Sequence, residues 1–189
     1  VIVPEIANNY FSQAINGIEA AAYERGYHVV IFQTQESYER EVEKVEHLAA
    51  RRVDGLLMSL SSQTVDISHL KSLHDRGLPL VFFDRIPAEI ETFKVVADNA
   101  GGAFKATEHL LETGRRRIAH ITSQPGLSIT KERLSGYLAA LEKYGVPFDE
   151  NLVKYCSYTT EEVEANLNAL FSLPNPPDAF LTGADRLAL

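Results

Sequence analysis

Tryptophan is absent from this chain of 189 residues, and cysteine occurs once, as Cys156. A single thiol closes no internal disulfide and builds no cysteine-based zinc site, a usage that fits a reducing cytoplasm. Apolar runs are short. None approaches the roughly 20 residues that a membrane-spanning helix needs, so no membrane partner is expected. Positive charge is outnumbered, with 18 Lys and Arg against 26 Asp and Glu and a formal net charge of -8. Nucleic-acid binding is driven largely by neutralising phosphates, so this stretch is not expected to hold DNA or RNA by itself. The opening "VIVP" shows no charged segment ahead of an apolar one, hence no visible signal peptide. The closing "TGADRLAL" starts a helix without finishing it, so the chain reads as a piece of a longer protein.

Enzyme signatures are missing as well. "NAGGAF" does not fit the dinucleotide pattern G-x-G-x-x-G, and no phosphate-binding G-x-x-x-x-G-K-[ST] occurs. The six histidines include neither H-E-x-x-H nor an i, i+4 metal pair, so no metal and no cofactor is expected. His69 and His74 fall on different helix faces, in solvent or packing roles. "GLSIT" resembles the start of a nucleophile elbow, but Thr130 stands where glycine is needed; Ser128 reads as a helix N-cap.

What is present is alternation. Short β-branched and aromatic runs follow amphipathic stretches in the order of βα units around a parallel sheet covered on both faces. The predicted strands are "VIV", "YHVVIFQ", "VDGLLMSL", "LPLVFFD", "FKVVADN", "RIAHITS", "LVKYCSY" and "DAFLTG". Helices are predicted from Asn8 or Asn9 to about Arg25, and over 37–52, 67–76, 100–113, 128–144 and 160–171. Gly26, Gly77, Gly114 and Gly145 supply left-handed stops; an irregular loop is predicted between "LPLVFFD" and "FKVVADN", and every crossover is nonetheless expected to contain a helix. Arg115, Arg116 and Arg117 follow a helix end, where cations are favoured, so this cluster reads as local structure.

Open α/β sheets gather ligands at the carboxyl ends of their strands. Asp84, after "LVFF", reads as a loop cap or a ligand acceptor. Thr122, Ser123, Tyr158 and Gly183 to Asp185 end other strands and are further candidates. Taken alone, Arg133 reads as a helix-surface residue paired with a nearby Glu, and Tyr10 and Phe11 read as core packing.

The segments "VIVPEIANNYFSQAINGIEAAAYERGY", "RRVDGLLM", "LPLVFFDR", "VVADNAGGAFKATEHLLETGRRRIAHI", "KERLSGYLAAL" and "AFLTGADRLAL", in this order and spacing, resemble the effector-binding core of LacI/GalR-type bacterial repressors. That core is similar in fold to periplasmic sugar-binding proteins. The resemblance covers essentially the whole chain. It implies an α/β fold with two doubly wound parallel-sheet subdomains, residues 1–97 and an incomplete 98–189, flanking a ligand cleft. The family's helix-turn-helix headpiece would lie outside this chain.

The resemblance also implies roles. Asn9, Tyr10 and Phe11 match the cleft-facing start of the first helix, Asp84 an acidic ligand contact, Arg133 the arginine that reaches the effector and Tyr158 an aromatic packing on it. Asp185 matches the acid of the family's A-N-D signature, with Ala184 replacing the usual asparagine. The expected function is that of a non-enzymatic, cytoplasmic, homodimeric sensing core. It would bind a small polar effector, a sugar or derivative, and act on operator DNA through the absent headpiece. The rivals are a periplasmic sugar receptor of a transporter and, more distantly, an α/β enzyme using Asp84 and Arg133.

Overall fold

The computed structural model describes every residue except Tyr158 and Leu189. The chain divides into two compact units, Val1–Val96 and Ala97–Leu189, each a parallel sheet with helices on both faces.

In the first unit the strands are β1 (Ile2–Val3), β2 (Phe32–Gln33), β3 (Leu56–Met58), β4 (Leu80–Phe83) and β5 (Phe93–Val95), in the sheet order β2-β1-β3-β4-β5. All four pairings are parallel. The helices are α1 (Asn9–Tyr23), α2 (Tyr38–Ala50) and α3 (Ser68–Asp75). Successive strand residues point to opposite faces, and the core divides accordingly. Ile2, Leu56, Met58 and Phe82 pack with Val45, Leu48 and Leu70 of α2 and α3. Their neighbours Val3 and Phe83 pack with Phe11 and Ile15 of α1.

The second unit has β6 (Ile118–Thr122), β7 (Val153–Tyr155) and β8 (Ala179–Thr182) in the order β7-β6-β8, again parallel. Its helices are α4 (Asn99–Glu112), α5 (Ser128–Lys143) and α6 (Thr160–Phe171). Ala119 and Ile121 face Leu170 of α6, while Ile118 packs with Leu111, Tyr137, Ala140 and Leu141 of α4 and α5. Both sheets are therefore doubly wound, as the alternation implied.

Three expectations need correction. β4 and β5 are parallel but joined by residues 84–92 without a helix; Ile90, 2% exposed, and Ile86 from this loop cover the core where a helix would. "YHVVIFQ" is not a buried strand throughout, because it forms the sheet edge and leaves Val30 52% exposed. Ser128 is the first residue of α5 and not its cap. Leu127 holds the cap position with no side-chain cap bond, and its burial anchors the helix entry.

The four glycine stops all have positive φ, from 64° to 90°. Past Gly114, Arg116 Nη1 donates at 2.7 Å to the Leu111 carbonyl at the end of α4. The backbone N–H groups of Arg116 and Arg117 donate to Asp178 at 2.9 and 3.0 Å, and Arg117 Nη2 donates to Asp149 at 2.9 Å. The arginine run serves a helix end and a strand start.

Candidate functional site

Strands β1 to β4 deliver their carboxyl ends to one crest of the first unit, and polar residues concentrate there. Asp84, immediately after β4, has φ +60°, a left-handed conformation that aspartate tolerates better than most residues. Its N–H still donates to Val95 O at 3.0 Å, extending the β4–β5 ladder by one bond. The left-handed turn then sends Arg85 inward, where it is 4% exposed. Arg85 Nη1 donates to both Glu36 oxygens at 2.9 and 2.7 Å, and its guanidinium lies 6.0 Å from the Phe11 ring centroid. Burial raises the Glu36 pKa, but the Arg85 guanidinium and the Ser62 N–H outweigh it and hold the carboxyl below its ordinary range.

Beside this pair lies a carboxylate that the sequence reading missed. Glu41 is fully buried; its Oε2 accepts from Ser61 N at 2.7 Å and Thr64 Oγ1 at 2.9 Å, and its Oε1 lies 3.3 Å from His69 Nε2. Glu36 and Glu41 thus hold the loop after β3 through its backbone. The available signal was a Glu on the apolar stripe of α2, one turn before Val45 and two before Leu48.

The remaining candidates of the first unit are local to α1. Asn8 caps the helix by accepting from Tyr10 N at 2.9 Å. Asn9 and Tyr10 are exposed. Phe11 is 3% exposed and meets Phe83 edge to face at 6.3 Å, so it is a core residue lying directly beneath the crest.

In the second unit the crest is built around Arg133. Two glycines permit the geometry. At Gly136 a Cβ would lie 2.1 Å from the Ala100 carbonyl oxygen, so only glycine lets α5 approach α4 this closely; at Gly183 it would lie 2.7 Å from Thr122 Oγ1. Asp98 caps α4 by accepting from Gly101 N at 2.9 Å, which places Asn99 on the first turn. Arg133 Nε donates to Asn99 Oδ1 at 3.0 Å, and its Nη1 donates to the Gly183 carbonyl at the end of β8. Arg133 also lines a pocket of about 230 Å³ together with Asp98, Asn99, Gly102, His120 and Gly183.

His120, on β6 beneath that pocket, is buried, stacks on Tyr137 at 5.4 Å and hydrogen-bonds Leu181 O through Nδ1 at 3.1 Å. A carbonyl oxygen only accepts, so Nδ1 carries the proton. Burial lowers the imidazole pKa and the Arg133 charge adds to this, against the opposing Leu181 bond. Asp185 is exposed, two residues past Gly183 in a short 3-10 turn. Thr122 is buried, and Ser123 shares a 2.8 Å hydroxyl bond with Thr130, so both serve packing. Tyr158 lies outside the described residues.

The structure thus gathers Arg85, Glu36 and Phe11 in one unit, with the Asp84 carboxylate 4.0 Å from Arg85 Nε, and joins Arg133 to Asn99 and Gly183 beside His120 in the other. Among the described residues no cluster of three or more His, Cys, Asp or Glu could hold a metal ion, and no helix is long and apolar enough to cross a membrane.

Comparison with known proteins agrees with this architecture. The HTH-type transcriptional repressor CytR of Escherichia coli strain K12 is 32% identical over 190 residues, covering 100% of this chain and 55% of CytR. The crystal structure of the transcription regulator CcpA of Lactococcus lactis superposes with a TM-score of 0.88 at 25% identity, covering 99% of this chain and 68% of that one. A complex of the transcriptional regulator CelR with cellobiose gives 0.84 at 31% identity, covering 98% and 58%. The chain therefore spans little more than half the length of the curated relative. Matched by the family model over residues 1–189, the chain belongs to the family of periplasmic binding proteins and sugar-binding domains of the LacI family.

Proposed function

We propose that this chain is the effector-sensing and dimerisation core of a LacI-type transcriptional repressor, and that it binds a small polar metabolite, a sugar or sugar derivative. The observation that carries the reading is Arg133, held by two acceptors at the strand-end crest of the second unit and lining an open pocket. A planar fork of donors in fixed geometry suits vicinal hydroxyls or an oxyanion. Asp185 and Tyr158 are proposed as further contacts of the second unit, and Asn9, Tyr10 and Asp84 as contacts of the first, with Phe11 supporting them from the core beneath.

The relatives compared above are transcription regulators, which favours regulation over the transport-receptor and enzyme readings. CelR is described in complex with cellobiose, which supports a carbohydrate effector. Contact with operator DNA, action in the cytoplasm and homodimerisation are proposed for the longer protein, since CytR is named as an HTH-type repressor and the chain matches 55% of it. An effector shifts such a regulator only by its differential affinity for two conformations.

A thermal-shift panel of sugars, sugar phosphates, sugar acids and nucleosides tests the reading, because a ligand that binds only the native state raises the melting midpoint. At least one class of polar metabolite is expected to do so in a saturable way. No shift across the panel, or turnover of a panel compound, would contradict it.

A further inference from the structure

Arg133 is the residue on which the proposed function rests, and what holds it is unusual in its charge. Of its five N–H groups, Nε–H is taken by Asn99 Oδ1 at 3.0 Å and one Nη1–H by the Gly183 carbonyl. Both acceptors are neutral. No Asp or Glu among the described residues lies within ion-pairing distance of Arg133, although Glu132 precedes it on α5. Glu132 is engaged elsewhere, accepting from Asn99 Nδ2 at 2.8 Å.

That bond also decides which way the Asn99 amide faces. Nδ2 donates to Glu132 Oε2 and to the Ala97 carbonyl, at 2.8 and 3.3 Å. A carboxylate and a carbonyl only accept, so the NH2 group must point at them and Oδ1 must point at Arg133; a flipped amide would set oxygen against oxygen and nitrogen against nitrogen. The amide itself has little freedom. Asn99 is 7% exposed, its N–H donates to Ala97 O at 2.9 Å, and the Asp98 cap and the close α4–α5 approach at Gly136 fix its backbone.

We propose that Asn99 is a positioning residue for Arg133: it fixes the plane of the guanidinium and separates it from Glu132, so that the uncompensated cation meets a ligand bearing paired oxygens, with an oxyanion such as phosphate or carboxylate favoured. A carboxylate at the position of the Asn99 amide would hold the fork and cancel its charge. The amide holds it and leaves the charge available. This inference deepens the proposed function and rests on Arg133 facing the effector.

The test uses the full chain, with the Arg133 Nε–Hε resonance assigned by its loss in Arg133→Lys and inorganic phosphate as the probe. Wild-type Hε is expected to exchange slowly with water, Asn99→Ala to speed that exchange about tenfold, and the double variant Asn99→Asp/Glu132→Gln, in which the new Gln amide can donate to the new carboxylate, to keep Hε protected while weakening phosphate binding about tenfold, because a carboxylate now neutralises the fork. Glu132→Ala, at a half-buried position, guards against a variant that fails to fold; it leaves the amide nitrogen only the longer 3.3 Å bond to Ala97 O, loosening the amide, and should speed Hε exchange in a chain that stays folded. Hε that exchanges freely in the wild type, or protection indifferent to Asn99→Ala in a folded chain, would overturn the proposal, as would phosphate affinity unchanged in Asn99→Asp/Glu132→Gln. Phosphate binding that follows this pattern while no panel metabolite binds would uphold the role of Asn99 and count against the sensor reading alone.

Discussion

A methyl group placed on Gly136 would sit 2.1 Å from the carbonyl oxygen of Ala100 and 2.9 Å from the Phe104 nitrogen. Both obstacles are helix backbone, which cannot rotate away as a side-chain tip would. Gly136→Ala must therefore push α5 off α4, and overpacking of this kind costs about 1–3 kcal/mol. Urea denaturation should show a lower midpoint with little change in slope, and phosphate or effector affinity should fall too, since the Asn99–Arg133 bond spans the same two helices. Unchanged stability would mean that the helices are further apart than described.

Glu41 offers a second prediction, independent of the first. It is fully buried and accepts from Ser61 N and Thr64 Oγ1 while facing His69. Truncation leaves a buried N–H and a hydroxyl without their acceptor and a cavity beside His69, so Glu41→Ala should cost about 2–4 kcal/mol in chemical denaturation. Glu41→Gln keeps an acceptor oxygen and should lose less.

Neither of these two features is read from the sequence, whereas much of the framework around them is. The helices and their stops were legible because they follow local rules: Asn8 caps α1, Ser37 caps α2 and Gly26, Gly77, Gly114 and Gly145 turn left-handed where the periodic stretches end. Ser128 misled because a serine before a helix is a cap only if its backbone stays outside the first turn, and here Leu127, drawn into the core, sets the boundary. Arg133 was recognisable only through a family resemblance. Its partners, Asn99 across 34 residues and Gly183 across 50, are brought in by packing of α4, α5 and β8 and leave no periodic trace. Glu41 is intermediate, since its place on an apolar stripe hints at burial and nothing local names Ser61 as its donor.

Acidification should weaken the second unit through His120. Burial, reinforced by the Arg133 charge, holds its folded-state pKa below the ordinary 6.5. Below 6.5 the unfolded chain therefore takes up a proton that the folded chain resists, so this contribution to stability is complete above 6.5 and is lost as pH falls toward the folded-state value. Denaturation midpoints between about pH 7.5 and 5 should decline in the wild type. In His120→Phe, which keeps the aromatic contact with Tyr137, the decline should be shallower even if stability at pH 7.5 is lower. Parallel curves for the two proteins would remove His120 from the explanation.

The arginine run invites a contrast between neighbours. Asp178 accepts from two backbone N–H groups, those of Arg116 and Arg117, so Asp178→Ala should cost about 1 kcal/mol or more. Arg115 is exposed, and Arg115→Ala should stay within about 0.5 kcal/mol of wild type. In a gel-shift assay at physiological salt neither variant should alter DNA affinity, because none is expected of this acidic chain. Specific DNA binding that depended on Arg115 would contradict the structural reading of the cluster.

The most direct test of effector sensing is calorimetric titration of the metabolite that most raises the melting midpoint, into wild-type chain and into Arg133→Ala. The expected result is saturable binding to the wild type and a loss of at least about a hundredfold in affinity in the variant, since several charge-assisted hydrogen bonds disappear together, with the ligand-free variant still folded at a melting midpoint lowered by the loss of its bonds to Asn99 and Gly183. Undiminished affinity in a folded Arg133→Ala would contradict the account at its centre.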